Sequence, residues 1–111
     1  MTAHDEVVRG LKEAALQRVS DDFLGLWEIP SLIQVLYADT PPTERKALTI
    51  QIVDDLLKAG LIRAGELDDT GRRFVPSDLS REQVIKLIRD SWTNLGRDPN
   101  IGEVIWFDTV D

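Results

Sequence analysis

Residues 56–76 read LLKAGLIRAGELDDTGRRFVP, and the reading of this stretch decides the fold. Its first residues close an apolar helix: Ala47, Leu48, Ile50, Ile52, Val53, Leu56 and Leu57 cover more than one face of residues 43–59, which predicts a helix central to the core. Gly60, directly after Lys58-Ala59, is the expected left-handed stop, because glycine reaches positive φ without steric cost. Residues 61–67 and 72–76 then flank Asp68-Asp69-Thr70-Gly71, where Asp and Thr favour a type I turn and Gly71 supplies the bulge that rejoins the strands. The stretch is a helix running into a β-hairpin.

Upstream, Val7, Val8, Leu11, Ala15 and Val19 recur at helical spacing among Glu6, Arg9, Lys12, Glu13 and Arg18, predicting an amphipathic helix over 5–19. Leu24-Gly25-Leu26-Trp27-Glu28-Ile29 alternates as a short strand ahead of Pro30. Ser31 with Gln34 has capping-box spacing, so a short helix through Leu32, Ile33, Leu36 and Tyr37 is expected over 32–38, with Pro30 outside it. Thr40-Pro41-Pro42-Thr43 must end that helix, since proline donates no hydrogen bond and disfavours helix in the residue before it; Thr43 is placed to cap the next helix. Downstream, Ser80 with Gln83 repeats the capping-box spacing ahead of Val84, Ile85, Leu87, Ile88, Trp92 and Leu95, which gives a helix over 81–95 that Gly96 ends. Asp98-Pro99-Asn100 turns the chain. Residues 103–110 come next as a strand whose run Val104-Ile105-Trp106-Phe107 is apolar on both faces and belongs inside a sheet or under a helix.

A chain of 111 residues with 42% apolar content suits one domain over 1–111. The absence of cysteine excludes a disulfide framework, a thiolate metal site and a thiol nucleophile. The opening MTAHDEVVRG carries acids where a signal peptide wants basic residues, and no apolar run approaches the ~18 residues of a membrane span. No membrane role and a cytoplasmic location are therefore expected. A net charge of −7 opposes binding of nucleic acid through the overall field.

The order helix, short strand, helix, turn, helix, strand, turn, strand over residues 5–76 resembles the winged helix-turn-helix superfamily. The junction Ile52-Val53-Asp54-Asp55-Leu56-Leu57-Lys58-Ala59-Gly60-Leu61-Ile62-Arg63 is similar to the recognition helix of bacterial winged-helix regulators running into the first wing strand. The resemblance implies an α+β fold with a winged-helix-like core, to which the helix 81–95 and the strand 103–110 are additions. It also implies that exposed residues of the third helix enter a major groove while wing residues touch backbone, which marks Thr43, Arg45, Lys46, Thr49, Gln51, Arg72 and Arg73. Charge distribution disfavours that use. Residues 1–42 hold three basic and seven acidic groups, 43–76 six of each, and 77–111 four and seven, or −4, 0 and −3. The segment that would bind is neutral rather than basic, and Asp68 and Asp69 at the wing tip would be repelled by phosphate unless Arg72 and Arg73 offset them.

Catalysis is not expected. His4 is the one histidine and lies in the N-terminal segment, where a mobile, solvent-exposed side chain is the expectation. The pairs Asp21-Asp22, Asp54-Asp55 and Asp68-Asp69 point in different directions along a helix or strand and fall short of a metal shell. Gly60, Gly65 and Gly71 lack the spacing of a phosphate loop. No cofactor and no metal are expected.

Three tryptophans remain. Trp27 and Trp106 fall on predicted strands and Trp92 on the stripe of the last helix, so burial is the first reading. If Trp27 or Trp106 is exposed on the sheet it becomes an anchor for a protein partner, and an acidic rim of Asp21, Asp22, Glu28, Glu103 and Asp108 favours a basic one. The expected role is a non-catalytic protein–protein interaction module, acting as a homodimer or on a basic partner, an antitoxin- or immunity-type protein being one form. The alternative is a winged-helix transcription regulator using Arg45, Lys46, Thr49, Arg72 and Arg73.

Overall fold

In the computed structural model, which describes residues 3–110, the chain runs α1 (Ala3–Asp21), β1 (Leu24–Gly25), α2 (Glu28–Leu36), α3 (Pro42–Lys58), β2 (Ile62–Leu67), β3 (Phe74–Pro76), α4 (Arg81–Leu95) and β4 (Trp106–Thr109). The four strands form one antiparallel sheet in the order β1-β4-β2-β3, so the fold is α+β. β4 takes an interior place in the sheet, as expected of the last strand, although Val104 and Ile105 of the apolar run lie ahead of it.

Strand alternation sorts the sheet into two faces. Leu24, Ile62, Ala64 and Phe107 point to one side, where they join Leu11, Ala15 and Val19 of α1, Ile29 and Ile33 of α2, Ile52, Val53 and Leu56 of α3, and Val84, Ile88 and Trp92 of α4 in a single buried core. Arg63, Gly65, Trp106 and Asp108 point to the other side, and none of them belongs to that core. α3 is the hub, touching α1, α2, α4 and β2.

Local chemistry explains the element ends. Gly60 and Gly96 adopt φ of 72° and 67°, the left-handed stops that end α3 and α4. Ser80 Oγ accepts from Gln83 N at 3.2 Å while Gln83 Oε1 accepts from Ser80 N at 2.9 Å, a complete capping box. In the hairpin turn, Gly71 at φ 71° donates to Asp68 O at 2.9 Å, and Asp68 Oδ1 accepts from Thr70 N and Thr70 Oγ1. Asp68 is lowered in pKa chiefly by the Thr70 hydroxyl.

Four expectations are corrected. The strand over 24–29 is two residues long; Trp27 is the N-cap of α2, and Glu28 and Ile29 are helical. Helix begins there because Glu28 Oε2 accepts from Gly25 N at 2.8 Å and Pro30 sits in the first turn, where its missing N–H has no intrahelical role. Ser31 consequently lies inside α2, its hydroxyl donating to Trp27 O at 3.0 Å, and the box with Gln34 does not form. Thr43 caps nothing, because Pro41 is the N-cap and Pro42 the first residue of α3. Finally, the last strand, expected over 103–110, is the four residues of β4, with Val104 at φ 74° ahead of it, whereas His4 is exposed as expected, on α1, with Nε2 3.3 Å from Gln51 Oε1.

Candidate functional site

The face of the sheet opposite the helices is paved with aromatic rings. Registers align Gly25 of β1, Trp106 of β4, Gly65 of β2 and Pro76 of β3 in one row across the strands. The two glycines make room for what lies above them. A Cβ on Gly25 would collide with Trp27 Nε1 and lie 3.2 Å from Trp106 Cζ3; a Cβ on Gly65 would collide with the Val75 carbonyl oxygen and lie 2.7 Å from Phe74 Cζ. Phe74 stacks on Phe23, with ring centres 5.8 Å and planes 29° apart, and the Arg63 guanidinium carbon stands 5.4 Å from the Phe74 centre. Phe23, Trp27, Phe74 and Trp106 are each half-buried. Trp92, by contrast, is 4% exposed in the core. The Trp27 indole N–H is sealed over Gly25 without an acceptor among the described residues.

The predicted acidic rim is mostly spent inside the molecule. Glu28 Oε1 accepts from Arg18 Nη1 at 3.2 Å, and its other oxygen holds Gly25 N. Asp108 Oδ2 pairs with Arg63 Nη2 at 3.4 Å. Glu103 takes Arg97 through both oxygens at 2.7 and 3.1 Å and also accepts from Asn100 N at 2.6 Å. The Arg97 hydrogen bonds, then the Asn100 N–H, bring the Glu103 carboxyl down to about 2. Asp21 and Asp22 are left exposed without an ion pair among the described residues, Asp22 Oδ1 accepting locally from Phe23 N at 2.7 Å.

The nucleic-acid candidates do not gather on one surface. Thr49 is fully buried with its hydroxyl on Arg45 O, so it cannot meet a groove. Arg45 is held by Asp98 Oδ2 and Thr40 O, both at 2.8 Å, and its side chain is 15% exposed. Lys46 Nζ donates to Thr93 Oγ1 of α4 at 2.8 Å. Thr43 and Gln51 are exposed. Arg72 and Arg73 are exposed without an ion pair among the described residues, and they lie at the end of β2 away from α3.

Sequence reasoning named Trp27 and Trp106 as interface candidates but not Phe23, Phe74 or the glycines under the rings. Gly65 inside a strand was the available signal, since glycine there marks a close approach. Among the described residues no three His, Cys, Asp or Glu side chains converge as metal ligands, and no helix is long and apolar enough to cross a membrane. Comparison with protein-family models, with curated proteins and with solved structures found no match.

Proposed function

We propose that this chain is a non-catalytic protein–protein interaction module that docks through the helix-free face of its sheet. One observation carries the reading: Phe23, Trp27, Phe74 and Trp106 lie together, half-buried, on the side of the sheet away from the core. Large aromatics contribute disproportionately when a partner finishes burying them, and arginine lying against a ring, as Arg63 does, is enriched in such surfaces. The partner is a second copy or another protein, and masking of a basic protein by this acidic chain is one form of the role. We read the succession α1-β1-α2-α3-β2-β3 as a winged-helix-like core in which β4 lies between β1 and the wing and α4 lies on α3. In that reading the third helix serves packing, since Arg45, Lys46 and Thr49 are engaged internally.

The test is affinity purification of the chain from the cells that express it, comparing the natural protein with Trp106→Ala and Phe74→Ala and with the α1 surface variant Gln17→Ala. A protein species, a second tagged copy included, that is lost with both face variants and kept with Gln17→Ala is expected. Recovery that ignores both face variants rejects the reading. The competing regulator reading draws on Arg72 and Arg73, the two of its candidates that are both charged and free of internal partners among the described residues. Fluorescence anisotropy with mixed duplex DNA at low salt decides it: binding weakened by Arg72→Ala and Arg73→Ala favours a regulator, and we expect no binding.

A further inference from the structure

We propose that the chain carries a second site, separate from the aromatic face: a pocket beneath the hairpin, on the helix side of the sheet, for an uncharged apolar small molecule the size of a single substituted ring.

Strand alternation sends Glu66 of β2 and its partner Val75 of β3 to the side opposite Gly65, Pro76 and Trp106, which is the side where the helices pack. Under this end of the ribbon lies a concave space of about 200 Å³ walled by Val75, Pro76, Leu79, Leu87, Val104 and Ile105. Val75, Leu79 and Leu87 remain 53%, 42% and 37% exposed around it, so the fold gathers these apolar groups without covering them.

One wall is held under strain. Val104 has φ 74°, which a β-branched residue rarely adopts, and Ile105 N donates to Glu103 O at 3.1 Å across it, closing the strained form of a γ-turn. Such a conformation persists only where its surroundings fix it. Here Glu103 accepts from both Arg97 Nη atoms and from Asn100 N, while Ile105 O accepts from Leu26 N at 3.1 Å, so the turn is pinned on both sides. Strain kept in this way collects where proteins grip ligands, and the residue that bears it in this chain lines the pocket.

Size and charge choose the ligand. A dry apolar cavity of about 150 Å³ accepts benzene, so this one has room for a ring with a short substituent. Glu66 is the one charged residue on the walls, and no cation lines them to hold an acid. Because Glu66 is exposed to solvent, its pull on an amine is weak. An uncharged molecule fits best.

Amide NMR of the full chain, titrated with toluene and with benzyl alcohol, tests the proposal, benzoate serving as the charged counterpart of the alcohol. Saturable shifts at Ser77, Leu79, Leu87 and Ile105 are expected from both neutral probes, and weaker ones from benzoate. Leu87→Trp, which fills the pocket from an exposed position on α4, is expected to abolish them. Val104→Gly removes wall and strain together, since glycine adopts this φ freely. Binding should then weaken while the urea midpoint holds or rises; a residue that served packing alone would lower the midpoint and leave binding intact, which contradicts the proposal. It is overturned as well if neither neutral probe saturates, if benzoate binds as tightly as benzyl alcohol, or if the shifts survive Leu87→Trp. Trp106→Ala, on the opposite face, should leave the titration unchanged, so the outcome here is independent of the docking role.

Discussion

Glycine at 25 and 65 is required by what lies over it, and the two positions fail differently when filled. A methyl at 65 meets the Val75 carbonyl, which belongs to the paired hairpin strand and cannot move without breaking the ladder. Gly65→Ala is expected to lower stability by about 1–3 kcal/mol in urea unfolding, in the range of an overpacked site. A methyl at 25 meets the Trp27 ring, a side chain that can swing out, so Gly25→Ala should cost less and shift Trp27 emission to longer wavelength. Glu103 offers a second residue-scale test. Its carboxyl sits at about 2 against an ordinary 4.5 because Arg97 and the Asn100 N–H bind the charged form. A depressed folded-state value means the contribution is complete above about pH 4.5 and is lost as pH falls towards 2. Glu103→Gln should therefore flatten the fall of the urea midpoint across that window and leave its shape above pH 5 unchanged. None of this was legible in advance at 25 and 65. A strand glycine announces that something approaches closely, but only the register says which ring does.

Whether an element could be read depended on whether its signals were local. The hairpin and α4 were readable because turn residues, αL glycines and the Ser80–Gln83 box act within a few residues of themselves. The start of α2 was only partly local: the bond from Gly25 N to Glu28 spans three residues, but the Arg18 pair reaches Glu28 from α1, ten residues upstream, and together they set the helix before the serine that suggested a cap. The same box spacing therefore gives opposite predictions at its two occurrences. Ser80→Ala should destabilise by about 1 kcal/mol, as loss of an N-cap does. Ser31→Ala, inside a helix with its hydroxyl on Trp27 O, should stay within about 0.5 kcal/mol, the usual range for surface changes. Urea titration of the two variants beside the natural chain checks both.

At the scale of the molecule, one side of the sheet holds the whole core and the other holds rings with no helix above them among the described residues. A net charge of −7 argues against holding a polyanion through the overall field, and Trp27 and Trp106, which the sequence offered as interface candidates, both lie on this face. The surface itself depends on β4 entering between β1 and β2, a pairing of distant segments that no local pattern encodes. Burial of α3 by α4 explains why charges suited to a groove became internal ties. The central claim is that another protein chain rests on the ringed face. A photo-crosslinking residue in place of Trp106, compared with one in place of Gln17 and activated in the expressing cells, tests it most directly. The account predicts a discrete protein adduct from position 106, of this chain or another, and none from position 17; adducts in equal yield from both positions, or from neither, contradict it.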